Sequence, residues 1–269
     1  MFRTRNEFRE HLRTELGYLR VALPWLVVFV VVQLYHSVMH NVVYYLEAQN
    51  GVFGGPSRAL VDLGFQLLPE INTTTLPFLP NNGILYSIFA IGGIFILAPF
   101  FLTLPHSPVQ ALWRALFVAS ISVILRTASF IFTLLPSPSK HCEETLTSDI
   151  HSGLTFDPPL TVFEIFFKVG TDSGCGDLMF SSHVMYCTIF ACVVTHYSKS
   201  RIFAGLLWAA TFALCLICVA QRSHYSVDVI VALYTVPMIW LSLRFLLPWD
   251  IRKHFRFWLD QPTVKYTEA

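Results

Sequence analysis

Six apolar stretches, each about the length needed to cross a bilayer, leave this 269-residue chain little room to be anything but a polytopic membrane protein. They run over 21–44, 84–104, 112–135, 178–196, 203–220 and 225–247. In lipid a helix satisfies its own backbone groups, so a run of about 20 mostly apolar residues is both sufficient and necessary. Composition agrees: 54% of the residues are hydrophobic and 13% charged, where a soluble domain carries about 25% charged residues. Disorder, a coiled coil and a soluble enzyme are excluded. The expected fold class is all-α, a six-helix transmembrane bundle over 21–247, flanked by a cytosolic N-terminal segment 1–20 and a cytosolic tail 248–269. A formal net charge of +1 offers nothing to nucleic acid. The first stretch is longer than the roughly 7–15 residues of a signal-peptide core and has no small-residue cleavage site after it, so it reads as a retained anchor.

Lys and Arg placement sets the orientation. With the N-terminus in the cytosol, only Arg58, Arg126, Lys140, Lys168 and Arg222 of the 18 basic residues fall toward the far side. Both termini are then cytosolic, and three segments, 46–83, 136–177 and 221–224, face the lumen or exterior. The first holds a glycosylation sequon at Asn72. The second holds Cys142 and Cys175, which an oxidising compartment would let pair. The other four cysteines sit inside helices and read as small apolar filler. The aromatic stretch 159–168 is too short to span and is expected to lie along the interface.

Polar residues inside apolar spans cost energy and need a partner or a function. Few exist: His36 and His40 in the first span, Arg126 in the third, His183 in the fourth, and Asp228 in the sixth with His224 at its mouth. His224 and Asp228 are spaced i, i+4, which puts them on one helix face, with the carboxylate holding one ring nitrogen and the other left as base or nucleophile. Arg222, two residues earlier, has the planar fork that grips a phosphate. A helix N-terminus there adds free N–H groups that favour an anion. His183 follows Ser181 and Ser182, whose hydroxyls and amides are donors for a phosphoryl oxygen; the alternative is a packing histidine bonded to a neighbouring helix. Two histidines on one phosphorus divide the work of acid and nucleophile. His36 and His40 share a face, but no second His-rich box supplies further metal ligands. Arg126 lies about 13 Å inside the far end of its span. It demands an anion: Asp228, Asp177 or a lipid phosphate.

Three stretches carry a family resemblance. Residues 126–138, reading RTASFIFTLLPSP, resemble an Arg…Thr-x-Leu-Pro-x-Pro element; 175–183, reading CGDLMFSSH, a Cys-Gly-Asp-x3-Ser-Gly-His element; and 224–234, reading HYSVDVIVALY, a His-Tyr-Ser/Thr-x-Asp-Val-x-x-Ala element. Together they resemble the sphingolipid synthases, the sphingomyelin, ceramide phosphoethanolamine and inositol phosphorylceramide synthases, a branch of the lipid phosphate phosphatase superfamily. Ser182 stands where animal sphingomyelin synthases carry glycine, and Val184 where a threonine follows. The Ser-Ser-His form, and DLGFQLLPE at 62–70, look more like the plant-type inositol phosphorylceramide synthases. The phosphatase patterns Lys-x6-Arg-Pro and Ser-Arg-x5-His-x3-Asp are not present in full, although His224-x3-Asp228 survives.

The resemblance implies transfer of a phospho-headgroup, phosphoinositol first, from a glycerophospholipid to the primary hydroxyl of ceramide, releasing diacylglycerol. It implies His183, His224 and Asp228 as the catalytic positions, on the lumenal or exoplasmic side of a Golgi, trans-Golgi or plasma membrane. Arg126, Arg222, Asp177, Ser181, Ser182 and Tyr225 are the expected substrate and phosphate contacts. Neither a cofactor nor a metal is called for, the partners are the lipids themselves, and a homo-oligomer is compatible with the chain. Phosphocholine and phosphoethanolamine are the rival headgroups. A lipid phosphatase using the same histidines is the rival reaction. A proton-coupled transporter is the rival without chemistry, although the repeats and midplane sites common in transporters are not visible.

Overall fold

The computed structural model describes residues 5–50, 59–71, 81–100, 107–139, 142, 159, 161–168 and 177–246. Among them the protein is all-helical. Helix α1 runs over Arg5–Asn50, α2 over Leu63–Leu67, α3 over Asn81–Leu97 with a 3-10 turn Ala98–Phe100, and α4 over Pro108–Phe132. They are followed by α5 over Val162–Phe167, α6 over Ser182–Tyr197, α7 over Arg201–Ala220 and α8 over Ser226–Leu246. Four stretches are long and apolar enough to cross a membrane: Ala22–Leu46, Pro108–Phe132, Arg201–Ala220 and Ser226–Leu243. The protein is an integral membrane protein.

Two expected spans are shorter than anticipated. The fourth was expected from residue 178, but α6 begins at Ser182 and is 16 residues long. Met179 adopts a left-handed backbone, φ 81°, which a helix cannot contain. The Ser181 hydroxyl then accepts the Val184 amide as an N-cap. The second expected span forms α3, whose apolar helical part is Gly83–Leu97. At the other extreme the first helix does not begin at residue 21: the Arg- and Glu-rich 5–20 segment is part of the same 46-residue helix, which runs on through Pro24.

Helix α6 sits at the middle of the bundle, touching α3, α4, α7 and α8, while α1 lies along α4. This explains its composition. Val184, Met185, Cys187, Thr188, Ala191, Val193 and Val194 are all fully buried, so most of its circumference packs against protein rather than lipid. Exposed apolar surface lies instead on its neighbours, as at Leu23, Val27, Val31 and Leu34 of α1, Ile202 and Leu206 of α7, and Ile230 and Met238 of α8. Ser107 caps α4 with Pro108 at its first position, and the buried Glu15 of α1 accepts the Ser107 hydroxyl at 2.7 Å and the Val109 amide. Burial pushes the Glu15 carboxyl above its ordinary value, against those two bonds.

Candidate active site

The α7–α8 turn places His224 immediately before α8, and Asp228 in the first turn of that helix. His224 donates from Nδ1 to Asp228 Oδ2 at 3.2 Å, so Nε2 is left to react. Asp228 is fully buried and divides its carboxylate between two elements. Oδ2 also accepts the Tyr225 amide at 3.0 Å, while Oδ1 accepts the Met179 amide at 2.9 Å. The Asp228 backbone carbonyl accepts the Ser181 amide at 3.1 Å. One residue thus orients His224 and pins the 179–181 bend from which α6 and His183 start. The rings of His183 and His224 stand 5.9 Å apart, centroid to centroid, at 65°. Among the described residues the buried His183 Nδ1 has no hydrogen-bond partner. The first turn of α6 leaves the amides of Ser182 and His183 without intrahelical acceptors, next to that ring pair.

A second polar cluster buttresses the same bend. Arg126, 2% exposed, donates from Nε to Phe180 O at 2.8 Å, from Nη2 to the carbonyl and carboxylate of Asp177, and from Nη1 to His36 Nε2 at 2.9 Å. Of the three anions open to it, Asp177 is the one it holds. Because arginine only donates, His36 Nε2 accepts, and Nδ1–H is directed to Thr127 Oγ1 at 2.9 Å. His40 Nε2 lies 3.5 Å from Asp177. Burial pushes the Asp177 carboxyl up, but Arg126 and His40 hold it well below the ordinary value. His36 and His40 therefore belong to the Arg126–Asp177 cluster, a role their spacing alone did not disclose.

Several expected phosphate contacts are engaged elsewhere. The Arg222 guanidinium donates to the carbonyls of Val219, Phe65 and Leu68, at 3.2, 2.7 and 3.0 Å, and lies 4.4 Å over the Phe65 ring. The Tyr225 hydroxyl donates to Pro136 O at 2.7 Å and accepts the Leu60 amide at 3.0 Å. Ser181 is fully buried, with its hydroxyl on the Val184 amide. Arg222 and Tyr225 hold segment 59–71 against the α7–α8 turn, and Ser181 caps α6. Ser182 is half-buried at the start of α6. Cys142 is buried and disulfide-bonded; its expected partner Cys175, and the sequon at Asn72, lie outside the described residues. Cys187, Cys192, Cys215 and Cys218 are free and buried, as filler should be.

The PAP2 superfamily C-terminal family matches residues 174–245, the stretch holding His183, His224 and Asp228. The chain is 31% identical over 242 residues to phosphatidylinositol:ceramide inositolphosphotransferase 2 of Arabidopsis thaliana, covering 90% of this chain and 75% of that one. It belongs to the sphingolipid synthase family. The rice (Oryza sativa subsp. japonica) phosphatidylinositol:ceramide inositolphosphotransferase is 33% identical over 217 residues, and this chain spans 61% of its length. The phosphatidylcholine:ceramide cholinephosphotransferase 1 of Gallus gallus is 28% identical over 122 residues, covering 44% of this chain. Within this family the paired imidazoles and their carboxylate are the part of the chain suited to phosphoryl chemistry.

Proposed function

We propose that this sphingolipid synthase transfers a phospho-headgroup from a glycerophospholipid to the primary hydroxyl of ceramide and releases diacylglycerol, with phosphatidylinositol as the donor. The observation that carries the reading is the pair of histidine rings 5.9 Å apart, one of them held by a buried carboxylate. In the first step His224 Nε2 attacks the donor phosphorus. An N–P bond forms, the bond from phosphorus to the diacylglycerol oxygen breaks, and protonated His183 gives that oxygen its proton. In the second step His183, now neutral, takes the proton of the ceramide hydroxyl. The oxygen attacks phosphorus, and the N–P bond breaks. Asp228 stabilises the charge that develops on His224. The amides opening α6 are placed for the phosphoryl oxygens.

The named activities of the Arabidopsis and rice relatives support phosphoinositol over phosphocholine. The DLGFQLLPE segment and Ser-Ser-His support the same choice. We place the site in the lumenal or exoplasmic leaflet of a six-pass protein with cytosolic termini, a sidedness supported by the Lys and Arg distribution. Burial of the Asp228 carboxylate and the His224 ring also keeps bulk water from the intermediate, which separates a transferase from a phosphatase.

Purified protein given fluorescent ceramide and, separately, phosphatidylinositol, phosphatidylcholine or phosphatidylethanolamine tests the assignment. Inositol phosphorylceramide and diacylglycerol in equal amounts are expected with the first donor. A headgroup phosphate released to water, with ceramide untouched, overturns it in favour of the phosphatase.

A further inference from the structure

Segment 59–71 lies across the α7–α8 turn and grips it at successive residues. Ile71 N–H bonds Ala220 O at 3.0 Å, Phe65 and Leu68 carbonyls take the Arg222 guanidinium, and Leu60 N–H bonds the Tyr225 hydroxyl. The tightest contact is Asp62. Its Oδ1 accepts the Ser226 hydroxyl at 2.7 Å and the Gly64 and Phe65 amides, and its Oδ2 accepts the Ser226 amide at 2.8 Å. The two loops touch so closely that a Cβ on Gly64 would stand 2.1 Å from Ser226 Oγ and 2.9 Å from Val219 Cγ1.

The arrangement solves a problem at the start of α8. A helix N-terminus presents several N–H groups with no intrahelical acceptor, and an acidic residue in the first turn is drawn to them. Asp228 is such a residue, yet its two oxygens are already given to Tyr225 N–H, Met179 N–H and His224. The Ser226 amide is the next donor in line. Asp62, 164 residues earlier in the chain, takes it.

We propose that Asp62 is a positioning residue for the active site: by taking the Ser226 amide and hydroxyl it leaves Asp228 Oδ2 for His224 and holds the α7–α8 turn at the distance from His183 that transfer requires. This rests on the reading of His224 and Asp228 as the reacting pair. Without Asp62, Ser226 N–H competes for the Asp228 carboxylate, and the His224 ring loses its fixed tautomer and direction. Misplacement on the scale of 1 Å costs up to about 100-fold in rate.

Asp62→Asn, Gly64→Ala, Ser226→Ala and the double variant Gly64→Ala/Ser226→Ala test it, each read by steady-state transfer and by amide hydrogen exchange of residues 222–230. Asp62→Asn is expected to lower kcat by between about 10- and 100-fold with the ceramide KM unchanged, and to speed exchange in the first turn of α8. Gly64→Ala, which drives its methyl into Ser226 Oγ, is expected to lose most of kcat, and removal of that oxygen in the double variant to restore part of it. Wild-type kcat and wild-type exchange in Asp62→Asn overturn the proposal, as does a double variant no better than Gly64→Ala alone. Exchange needs no turnover. A protein with no transferase activity but fast exchange in Asp62→Asn would defeat the functional reading and leave the clamp standing.

Discussion

Asp228 shows how much one side chain is asked to do: it holds the imidazole of its own turn, accepts the amide that opens its helix, and fastens a bend almost 50 residues earlier. Replacing it by asparagine keeps the shape and removes the charge that favours a cationic His224. Transfer should fall by about 100- to 10,000-fold, with the ceramide KM little changed, as steady-state kinetics on folded protein will show. The Arg126–Asp177 pair is a stability element of another kind. Asp177→Asn leaves a buried guanidinium short of its counter-ion, and breaking a buried pair in this way costs about 3–5 kcal/mol; thermal unfolding in detergent reads it directly.

Asp177 and Asp62 also set an acid limit. Both are held below the ordinary aspartate value of 3.8, Asp177 by Arg126 and His40 and Asp62 by Ser226 and the Gly64 and Phe65 amides, in each case against burial. The folded state therefore gives up these protons more readily than the unfolded chain. Their stabilisation is complete above the unfolded value and is lost as pH falls through the folded ones. Melting temperature should drop on acidification below about pH 4, and less steeply in Asp62→Asn and Asp177→Asn.

The His224–Asp228 pair was legible in the sequence because its geometry is local: the partners are four residues apart, although His224 lies in the turn before α8 and not on the helix itself. Arg126 announced that it needed an anion without saying which. The contacts of Arg222 and Tyr225 with Phe65, Leu68 and Leu60 were not legible, because these partners lie 154 to 165 residues away, where no periodicity reaches.

Among the elements, α6 is the one whose neighbours decide everything. Gly92 of α3 meets it at Phe190, where an added Cβ would fall 2.2 Å from the ring edge. That ring is hemmed in by Phe89, 5.4 Å away, and has little room to yield. Gly92→Ala should destabilise by about 1–3 kcal/mol, and Gly92→Ala/Phe190→Leu should recover part of it, both measured as shifts in detergent melting. Helix α5 is a short helix held by few residues: Thr161 caps it, Asn41 of α1 ties down the Ile165 and Lys168 carbonyls, and Phe163, Phe166 and Phe167 are exposed. Boundaries were less legible than elements. Apolar runs mark a helix, but its ends are set by single residues such as Met179 and Ser181, whose backbone angles hydropathy does not sense.

At the scale of the whole molecule, the all-helical membrane architecture followed from hydropathy and the family from three short motifs. The connection between them did not: α6 carries His183 into the centre of the bundle, and the α7–α8 turn brings His224 to it from the neighbouring helices. A transporter would scatter its polar groups along a path across the membrane. Here His183, His224 and Asp228 meet at the starts of α6 and α8, and the Arg126 cluster braces the bend between them. The central claim is that His224 carries the headgroup between the two lipids. Rapid acid-free quench of the purified protein with donor lipid labelled at phosphorus, without ceramide, tests it most directly. The account predicts label on His224, absent in His224→Ala and discharged onto ceramide when that lipid is added. A protein that makes labelled sphingolipid at the normal rate after His224→Ala would contradict it.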